Sequence, residues 1–367
     1  MQDVVIIGGG VIGLSTAYEL AGRGLTVTVL DAQQPGSEAS WAGAGILPPG
    51  YPGDPQHPLS ALCRATAELW PVLSAELRES TGIDNGFRRC GGIGLLPADA
   101  SSEFRTEVEA WRNVGVRVEE LSVQKLTDYE PSLQRGFRAY RLPDQCQVRN
   151  PRHLKALEIG CSRRGVEIRA GQPVDEIERA GERVLAVRTS TNRFEAGSFL
   201  VTAGAWSRRL LAEVGCDLPI EPVRGQIVLL NLSRPEISHI IESGPRYLVP
   251  RPDGRLLVGS TEEWVGFDKR NTASAVKELL EFAESLVPQL ADARFERAWC
   301  GLRPHVPDGL PCLGGVPGCR NLFVAAGHFR GGLNLSPITA RVMGQLITGN
   351  PVDPPIDAFA VGRDPVE

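Results

Sequence analysis

Apolar residues in the first thirty positions fall into three blocks with different spacing. Residues 3–7 form a short run rich in β-branched side chains, which is typical of a buried parallel strand. Residues 14–23 carry apolar side chains at helical spacing and end at Gly24, a residue that favours a helix C-terminus. Residues 25–30 form a second apolar run, and Asp31 follows it. This pattern predicts a β-α-β unit at the start of the chain.

The turn between the first strand and the helix has the spacing G-x-G-x-x-G, from Gly8 to Gly13. In such a turn Gly8 permits a tight bend, Gly10 lets the backbone approach a pyrophosphate, and Gly13 lets the helix pack close to the strand. The helix N-terminus adds free N–H groups and a positive dipole for phosphates. Asp31 stands 23 residues after Gly8, where it can accept hydrogen bonds from a ribose diol and disfavours a 2′-phosphate. These features predict a dinucleotide site and disfavour NADP, but they do not separate FAD from NAD.

A segment of small side chains, residues 37–47, follows the second strand. Small side chains let a backbone lie against a flat, extended ligand, so this loop is a candidate for cofactor contact. A flexible surface loop is the alternative, and Trp41, Ile46 and Leu47 argue against full exposure to solvent. The next residues, 48–58, are rich in proline and glycine, which predicts a second loop that could serve as an active-site lid.

The rest of the chain alternates between strand-like and helix-like patterns. Pro252-Asp-Gly254 between two apolar runs predicts a tight hairpin, and a glycine-rich turn at residues 327–332 precedes the last helix. The predicted helices cover residues 59–80, 101–114, 123–129, 150–164, 272–290 and 335–348. The predicted strands cover residues 92–96, 117–121, 137–142, 166–170, 174–179, 184–190, 199–202, 225–230, 246–250, 255–259, 294–303 and 321–326.

The pieces that fit a nucleotide-binding sheet are dispersed along the chain, at residues 1–47, 166–206 and 321–348, with antiparallel strand patterns between them. A plain NAD dehydrogenase would usually keep its nucleotide domain more contiguous. The predicted fold class is therefore α/β combined with α+β, with a discontinuous Rossmann-like domain and a second, antiparallel-sheet substrate-binding domain. The first domain is predicted at residues 1–85, 147–221 and 304–367. The second is predicted at residues 86–146 and 222–303.

Composition limits the classes of protein to which the chain can belong. Its 367 residues suggest about two domains. With 42% hydrophobic and 23% charged residues, it is typical of a globular protein rather than a disordered, collagen-like or coiled-coil chain. A net charge of −5 argues against a general binder of nucleic acid or of anionic membranes. The uncharged run at residues 4–18 is too short and too rich in glycine to span a bilayer, so no stable membrane insertion is expected.

The reactive and charged residues narrow the expected chemistry. The eight cysteines form no C-x-x-C pair and no Cys/His cluster with zinc spacing, so no metal site is predicted. Reduced thiols and a cytoplasmic location are the expectation. Only four of the 39 basic residues are lysines, so 35 are arginines. An arginine in this chain must therefore be singled out by its motif, and Schiff-base chemistry on a lysine is not expected.

Taken together, these motifs resemble the D-amino-acid-oxidase-like FAD oxidoreductase superfamily, and within it the chain is similar to the glycine oxidases. The resemblance covers nearly the whole chain. It rests on the glycine turn with Asp31, on residues 40–47, on Thr202-Ala-Gly-Ala-Trp-Ser207 and on Arg224-Gly-Gln226. Further anchors are residues 247–261, Gly301-Leu-Arg-Pro304 with Pro307-Asp308, and Gly327-His-Phe-Arg330.

The resemblance implies that the first domain binds FAD in an extended form and without a covalent link. The backbone at Val174 would meet the adenine, and residues 327–333 would lie beside the isoalloxazine ring. Cys300 lies one residue out of register with the position at which sarcosine oxidases attach FAD. The implied cofactor-binding residues are Gly8, Gly10, Val11, Ile12, Gly13, Asp31, Ala32, Ala39, Ser40, Ala44, Gly45, Ile46, Val174, Gly204, Trp206, Gly327, His328, Phe329, Arg330, Gly331, Gly332 and Leu333.

In glycine oxidases the residues that match Arg303, Arg330 and Tyr247 hold the substrate carboxylate, so these three are the candidate catalytic residues. A guanidinium binds a carboxylate through a planar fork that lysine cannot reproduce, and Tyr247 could add a neutral hydroxyl. The alternatives are a surface or structural role for either arginine and a core or sheet role for the tyrosine.

The chain departs from the family pattern near the flavin. Phe329 stands where a tyrosine is common, and Gly331 stands where a side chain such as asparagine is common. Glu262 falls where the family pattern can have an apolar pocket residue, so it either shapes the site electrostatically or points to solvent. His328 is expected to be a buried, hydrogen-bonded histidine.

The resemblance implies oxidative deamination. Glycine, sarcosine or a small D-amino acid would lose a hydride from Cα to flavin N5, and the imine would hydrolyse to an α-oxo acid and ammonia or amine. Molecular oxygen would reoxidise the flavin and give hydrogen peroxide. The resemblance also implies a link to thiazole formation in thiamine biosynthesis, and a homotetramer. Three alternatives stay open: a D-amino-acid or sarcosine-type dehydrogenase with a non-oxygen acceptor, a non-catalytic flavin- or nucleotide-binding subunit, and an NAD-dependent dehydrogenase.

Overall fold

The computed structural model describes residues 2–363; residue 1 and residues 364–367, which the predicted first domain includes, lie outside the described part. The strands are β1 (Gln2–Ile7), β2 (Val27–Leu30), β3 (Ile46–Leu47), β4 (Arg88–Arg89), β5 (Gly92–Pro97), β6 (Glu119–Leu121), β7 (Phe137–Leu142), β8 (Cys146–Gln147), β9 (Glu167–Arg169), β10 (Glu176–Ala180), β11 (Arg183–Arg188), β12 (Arg193–Val201), β13 (Glu221–Asn231), β14 (Ile240–Ser243), β15 (Arg246–Pro250), β16 (Arg255–Gly259), β17 (Arg294–His305), β18 (Cys312–Gly315) and β19 (Leu322–Ala326). The α-helices are α1 (Val11–Gly22), α2 (Ala39–Ala42), α3 (Pro58–Thr81), α4 (Ser101–Asn113), α5 (Val123–Tyr129), α6 (Asn150–Arg163), α7 (Ser207–Ala212), α8 (Ala273–Leu286) and α9 (Gly332–Ile347). Short 3-10 helices lie at Gly204–Trp206, Pro288–Asp292, Phe329–Gly331 and Asp357–Phe359.

The first sheet has a parallel centre in the order β9-β2-β1-β12-β19, and β10, β11 and β18 add antiparallel pairs. Its strands carry continuous apolar runs because both faces are covered. Helices α1, α6 and α9 cover one face, and side chains of β10, β11 and α7 cover the other. Ile7 lies opposite Leu30 on one side and Val201 on the other. The carboxyl ends of β1, β2 and β12 therefore meet at one edge, and the predicted β-α-β unit is confirmed.

The second sheet has the order β17-β13-β16-β15-β14-β5-β7-β6 and is antiparallel except for the pair β14–β5. Successive residues of a strand point to opposite faces. On β13, Val228 and Leu230 therefore pack in the core that α8 covers, whereas Ile227 and Leu229 face the segment that contains Ala44. The parallel sheet and the antiparallel sheet together confirm the predicted combination of α/β and α+β architecture.

Most predicted elements are present with shifted ends. β13 and β17 are longer than predicted because they pair with each other along their whole length. α8 ends at Leu286, four residues before the predicted end, because the residue that precedes Pro288 is pushed out of the helical conformation. α9 begins at Gly332, three residues before the predicted start, since the 3-10 turn Phe329–Gly331 continues directly into it.

The prediction of residues 37–47 as a loop is wrong in part, because the segment contains α2 and β3. β3, β8 and β4 form a separate three-stranded sheet that was not predicted, and β14 and β18 were also not predicted. Each of these strands has two to four residues, which is too short for a period in the apolar pattern to appear.

Three sequence expectations concern cysteines, membranes and metals. All eight cysteines are free. Among residues 2–363, no helix is both long enough and apolar enough to cross a membrane. The same residues contain no group of three or more His, Cys, Asp or Glu side chains arranged to hold a metal ion.

Candidate active site

A cleft with a volume of about 560 Å³ lies between the two sheets. One wall is the edge where β1, β2 and β12 end, together with the start of α1. The opposite wall belongs to the second sheet and includes Gly225, Tyr247 and Arg303, and the turn before α9 contributes Phe329 and Arg330. The carboxyl ends of parallel strands beside a helix N-terminus form a common nucleotide-binding place.

The glycine turn holds the start of α1 against the end of β12. A Cβ on Gly8 would lie 2.5 Å from the Thr202 carbonyl oxygen, and a Cβ on Gly13 would overlap the Gly8 carbonyl oxygen. A side chain at either position would therefore separate the strand from the helix. The Ile12 and Gly13 N–H groups in the first turn of α1 have no carbonyl partner within the helix, so they can donate to phosphate oxygens in the cleft.

Asp31 follows the end of β2 and lines the cleft. Its Oδ2 accepts a hydrogen bond from the Gly9 N–H at 2.7 Å, and its Oδ1 accepts one from the Gln33 N–H at 2.8 Å. Burial raises the pKa of the Asp31 carboxyl, while these two hydrogen bonds act in the opposite direction. Each carboxylate oxygen keeps a further lone pair. Asp31 is thus held in a fixed orientation and can still accept from a ribose hydroxyl.

The segment after β2 connects the two walls. Ser40 Oγ accepts a hydrogen bond from the Val11 N–H at 2.9 Å, and the Ser40 carbonyl accepts one from Asn150 Nδ2 at 2.7 Å. On its other side, a Cβ on Gly301 of β17 would lie 2.6 Å from the Ala42 Cβ. The small side chains predicted to admit a flat ligand therefore also let α2 lie directly on β17.

All but three of the predicted cofactor-binding residues line the cleft. Gly13, Gly327 and Gly331 are not part of the cleft lining. A Cβ on Gly13 would point at Gly8, one on Gly327 at Val306, and one on Gly331 at the following helix. These three glycines permit close packing behind the cleft rather than forming its surface.

Arg303 lies near the end of β17 and extends across the neighbouring strand. A Cβ on Gly225 of β13 would come closer than 3.0 Å to three atoms of the guanidinium, so the guanidinium lies directly over this glycine. Arg303 Nη1 donates to the Thr261 carbonyl at 3.1 Å, and Nη2 donates to Ser260 Oγ at 2.7 Å. Burial lowers the pKa of Arg303, but an arginine remains cationic in proteins. Among the described residues, Arg303 has no ion-pair partner.

Tyr247 reaches the same place from the other direction. It lies opposite Gly259 in the β15–β16 register, and a Cβ on Gly259 would lie 2.5 Å from its ring. Burial raises the pKa of Tyr247, while a hydrogen bond with Ser260 and the charge of Arg303 act in the opposite direction. The structure therefore brings Tyr247 and Arg303 together, with a neutral phenol beside a cation.

Arg330 lines the cleft in a different environment. Its Nε donates to Glu262 Oε2 at 3.1 Å, and its Nη2 binds the same carboxylate oxygen. The two side chains are 40% and 30% exposed. Glu262 therefore forms an ion pair with Arg330 beside the cleft. The adjacent Phe329 has φ of 47°, a conformation that is costly for a residue with a side chain and that recurs at functional sites.

The sequence also led to expectations for His328 and Cys300. His328 is buried, its Nε2 lies 3.1 Å from Thr339 Oγ1, and burial lowers its pKa to about 3, so the predicted buried, hydrogen-bonded histidine is confirmed. Cys300 does not line the cleft, and its Sγ donates to the Lys269 carbonyl at 2.8 Å. This placement separates the thiol from the cofactor space.

Several polar residues of the cleft were not among the predicted site residues, and Asn150, Glu242 and Ser260 are three of them. The position of Ser260 directly after the apolar run of β16 was an available signal, because side chains at strand ends often reach a site. Asn150 precedes Pro151 at the start of a predicted helix. It was therefore interpreted as part of the helix start and not as a residue of the site. Glu242 lies on the unpredicted strand β14.

Residues 3–346 match the family model described as FAD dependent oxidoreductase. The chain belongs to this family. A glycine oxidase of Pseudomonas aeruginosa is 36% identical to it over 366 residues, which cover 99% of each chain. A bifunctional protein ThiO/ThiG of Trichormus variabilis is 33% identical over 376 residues, which cover 99% of this chain and 55% of that protein. The crystal structure of glycine oxidase from Geobacillus kaustophilus matches with a TM-score of 0.95 and 34% identity, covering 99% of both chains.

As a member of the FAD-dependent oxidoreductase family, the chain uses FAD, and the described residues fit this cofactor. The glycine turn and Asp31 suit the ADP half, and the cleft continues from them to the turn before α9. Asn150 Oδ1 is buried in the cleft wall and has no hydrogen-bond donor among residues 2–363. A buried acceptor of this kind is costly when it stays unpaired, which is consistent with a ligand that supplies the donor.

Proposed function

We propose that this protein is an amino-acid oxidase that acts on glycine, sarcosine or small D-amino acids. Its products are an α-oxo acid, ammonia or amine, and hydrogen peroxide. The observation that carries the proposal is Arg303, an arginine that has no acidic partner among residues 2–363 and forms part of the wall of a flavin cleft. A largely enclosed charge is costly unless it is paired, so the substrate carboxylate is its expected partner. Relatives named glycine oxidase support the same substrate class.

The donors of Arg303 suit a carboxylate. Its guanidinium has five N–H donors, of which two are used by Thr261 and Ser260. The remaining donors can form a bidentate pair, with about 1.5–3 kcal/mol for each charge-assisted hydrogen bond. Tyr247 adds a neutral hydroxyl beside the guanidinium. The bonds to Thr261 and Ser260 hold the guanidinium in place before the substrate arrives.

Binding and orientation are the tasks of the chain's own residues. When bound, FAD would supply the hydride acceptor and the means of electron transfer to oxygen. Arg303 and Tyr247 fix the substrate carboxylate and thereby fix the direction of the Cα–H bond. Ile46, Ile227 and Leu333 give the cleft apolar surfaces that exclude water from the reacting carbon. The substrate amine enters unprotonated, so its lone pair assists loss of hydride and no side-chain base is required.

Peroxide formation tests the proposal. Purified holoenzyme is mixed with glycine, sarcosine and D-alanine, and hydrogen peroxide is followed. Turnover of at least one substrate is expected, and Arg303→Ala should raise its KM far more than it weakens FAD binding. Arg294→Ala is the matched control, since Arg294 is an exposed arginine on the same strand. If no amino acid reduces the flavin, the proposal fails; reduction without reoxidation by oxygen would instead indicate a dehydrogenase with another acceptor.

The proposed setting is a cytoplasmic homotetramer that supplies thiamine thiazole formation. The free cysteines support a reducing compartment, and relatives named ThiO/ThiG support the thiamine link. The two sheets support a division into an FAD-binding domain and a substrate-binding domain with the bounds predicted above. The mass of the holoenzyme, measured by light scattering during size-exclusion chromatography, tests the tetramer. Growth of a strain that lacks the gene, with and without added thiamine, tests the link to thiamine biosynthesis.

A further inference from the structure

A second acidic residue lines the substrate side of the cleft. Glu242 on β14 lies opposite Tyr247 on β15, and Tyr247 lies opposite Gly259 on β16. Residues that lie opposite each other on adjacent strands point to the same face of a sheet. Glu242 and Tyr247 are therefore neighbours in the cleft wall, and both contribute to its lining.

The Glu242 carboxylate is positioned but not neutralised. Gln145 is buried, and its Nε2 donates to Glu242 Oε2 at 3.1 Å. Among residues 2–363, Glu242 has no ion-pair partner, and its Oε1 accepts no hydrogen bond. Glu262 differs in this respect, because Arg330 binds its carboxylate directly. Of Glu242 and Glu262, only Glu242 lines the cleft without an ion-pair partner among residues 2–363. Burial raises the pKa of the Glu242 carboxyl, while the hydrogen bond from Gln145 and the charge of Arg330 act in the opposite direction.

The order of the strands shows which part of a substrate meets this charge. The Arg303 guanidinium lies over Gly225 on β13, and the next strands are β16, β15 and β14. Neighbouring strands are about 4.8 Å apart. Glu242 therefore stands on the far side of Tyr247 from Arg303. A substrate whose carboxylate is held by Arg303 presents its Cα or N substituent, not its carboxylate, to Glu242.

We propose that Glu242 sets the charge selectivity of the substrate site. It admits substituents that are neutral or cationic and rejects a second carboxylate on the substrate. The inference rests on the proposed function, because Arg303 must hold the first carboxylate. Like charges brought together in a partly desolvated site repel strongly, and an isosteric neutral group at the same place does not.

Two non-oxidisable probes of the same size test this inference. Malonate carries two carboxylates, whereas malonamate carries one carboxylate and one neutral amide. The Kd of each is measured on oxidised holoenzyme from the change in the flavin absorption spectrum. Malonamate is expected to bind at least roughly 10-fold more tightly than malonate to the unchanged protein. In Glu242→Gln, which keeps the shape and an acceptor for Gln145, the ratio should fall to about 3-fold or less.

Glu120→Gln is the control. Glu120 lies on the same sheet, accepts a hydrogen bond from Arg112 Nη2 at 2.8 Å and does not line the cleft, so its loss should leave the ratio within about twofold. The inference is overturned if malonate binds the unchanged protein as tightly as malonamate, which would occur if Arg330 left Glu262 to bind the second carboxylate. It is also overturned if Glu242→Gln leaves the ratio unchanged, or if malonamate does not bind. None of these results depends on turnover, so failure of glycine or sarcosine to reduce the flavin remains a separate outcome.

Discussion

Substitution of Gly225 by alanine perturbs carboxylate binding without altering any group that would touch the substrate. The added Cβ would come closer than 3.0 Å to three atoms of the Arg303 guanidinium, a separation that real Cβ atoms essentially never show. β13 cannot yield easily, because it is paired on both sides, with β17 and with β16. The guanidinium must therefore leave its position and lose its bonds to Thr261 and Ser260.

The expected loss follows from the hydrogen bonds that the displaced guanidinium no longer makes. Two charge-assisted bonds to a carboxylate contribute about 3–6 kcal/mol together. At about 1.4 kcal/mol per factor of ten, this corresponds to roughly 10²–10⁴-fold in kcat/KM. A long side chain can recover part of its contact from a new position, so a loss of roughly 10²–10³-fold is expected for Gly225→Ala.

Steady-state kinetics with glycine or sarcosine measures the loss, and the flavin absorbance reports FAD retention. Gly315→Ala is the control, because a Cβ on this strand glycine meets no atom within 4 Å. In an Arg303→Ala background the Gly225 substitution should cost less than about twofold, since the clash no longer exists. The reasoning is refuted if Gly225→Ala leaves KM unchanged, or if its effect is equally large when Arg303 is absent.

Three further results are expected. Glu262→Gln removes the acid partner of Arg330, so KM for glycine should fall by up to about fivefold, since a part-exposed ion pair contributes about 1 kcal/mol or less. Burial lowers the pKa of His153 and of His328 to about 3, so below pH 6.5 the unfolded chain binds protons that the folded chain does not. The free energy of unfolding should therefore fall by about 2 kcal/mol per histidine from pH 7 to pH 5, and urea titrations of H153N and H328N should each show a smaller fall. Acid precipitation of the protein should release all FAD into the supernatant, because the Cys300 thiol bonds to the Lys269 carbonyl and does not form a covalent link to the flavin. Yellow colour that remains with the precipitated protein would contradict this.

The nucleotide half of the cleft could be predicted from the sequence because its determinants are local. The spacing from Gly8 to Gly13 and the acid at Asp31 are fixed by one β-α-β unit, whose parts are consecutive along the chain. The ends of β1 and β2 meet for the same reason. β12 joins this edge from far along the chain; its apolar run and the small-residue turn that follows fitted a ligand contact and an ordinary strand–helix corner equally well.

The substrate half could be predicted only in part, because its residues come together through the register of the second sheet. Arg303 and Tyr247 were found through motifs, but their meeting over Gly225 and Gly259 depends on the pairing of four strands. Glu242 was not predicted because β14 has only four residues, too few for a period in the apolar pattern to appear. The hairpin between β14 and β15, which places Glu242 opposite Tyr247, was not predicted either.

The neighbours of the arginines, rather than their number, decide which of them can bind a ligand. Arg224 is buried, yet Glu263 and Asp268 bind it, so its charge is satisfied within the protein. Arg330 lines the cleft but is held by Glu262. Arg303 lies over a glycine and bonds to a hydroxyl and a carbonyl, neither of which neutralises its charge. A chain rich in arginine can thus carry one selective carboxylate site. Acidic residues bind Arg224 and Arg330, and Gly225 leaves room for the guanidinium of Arg303.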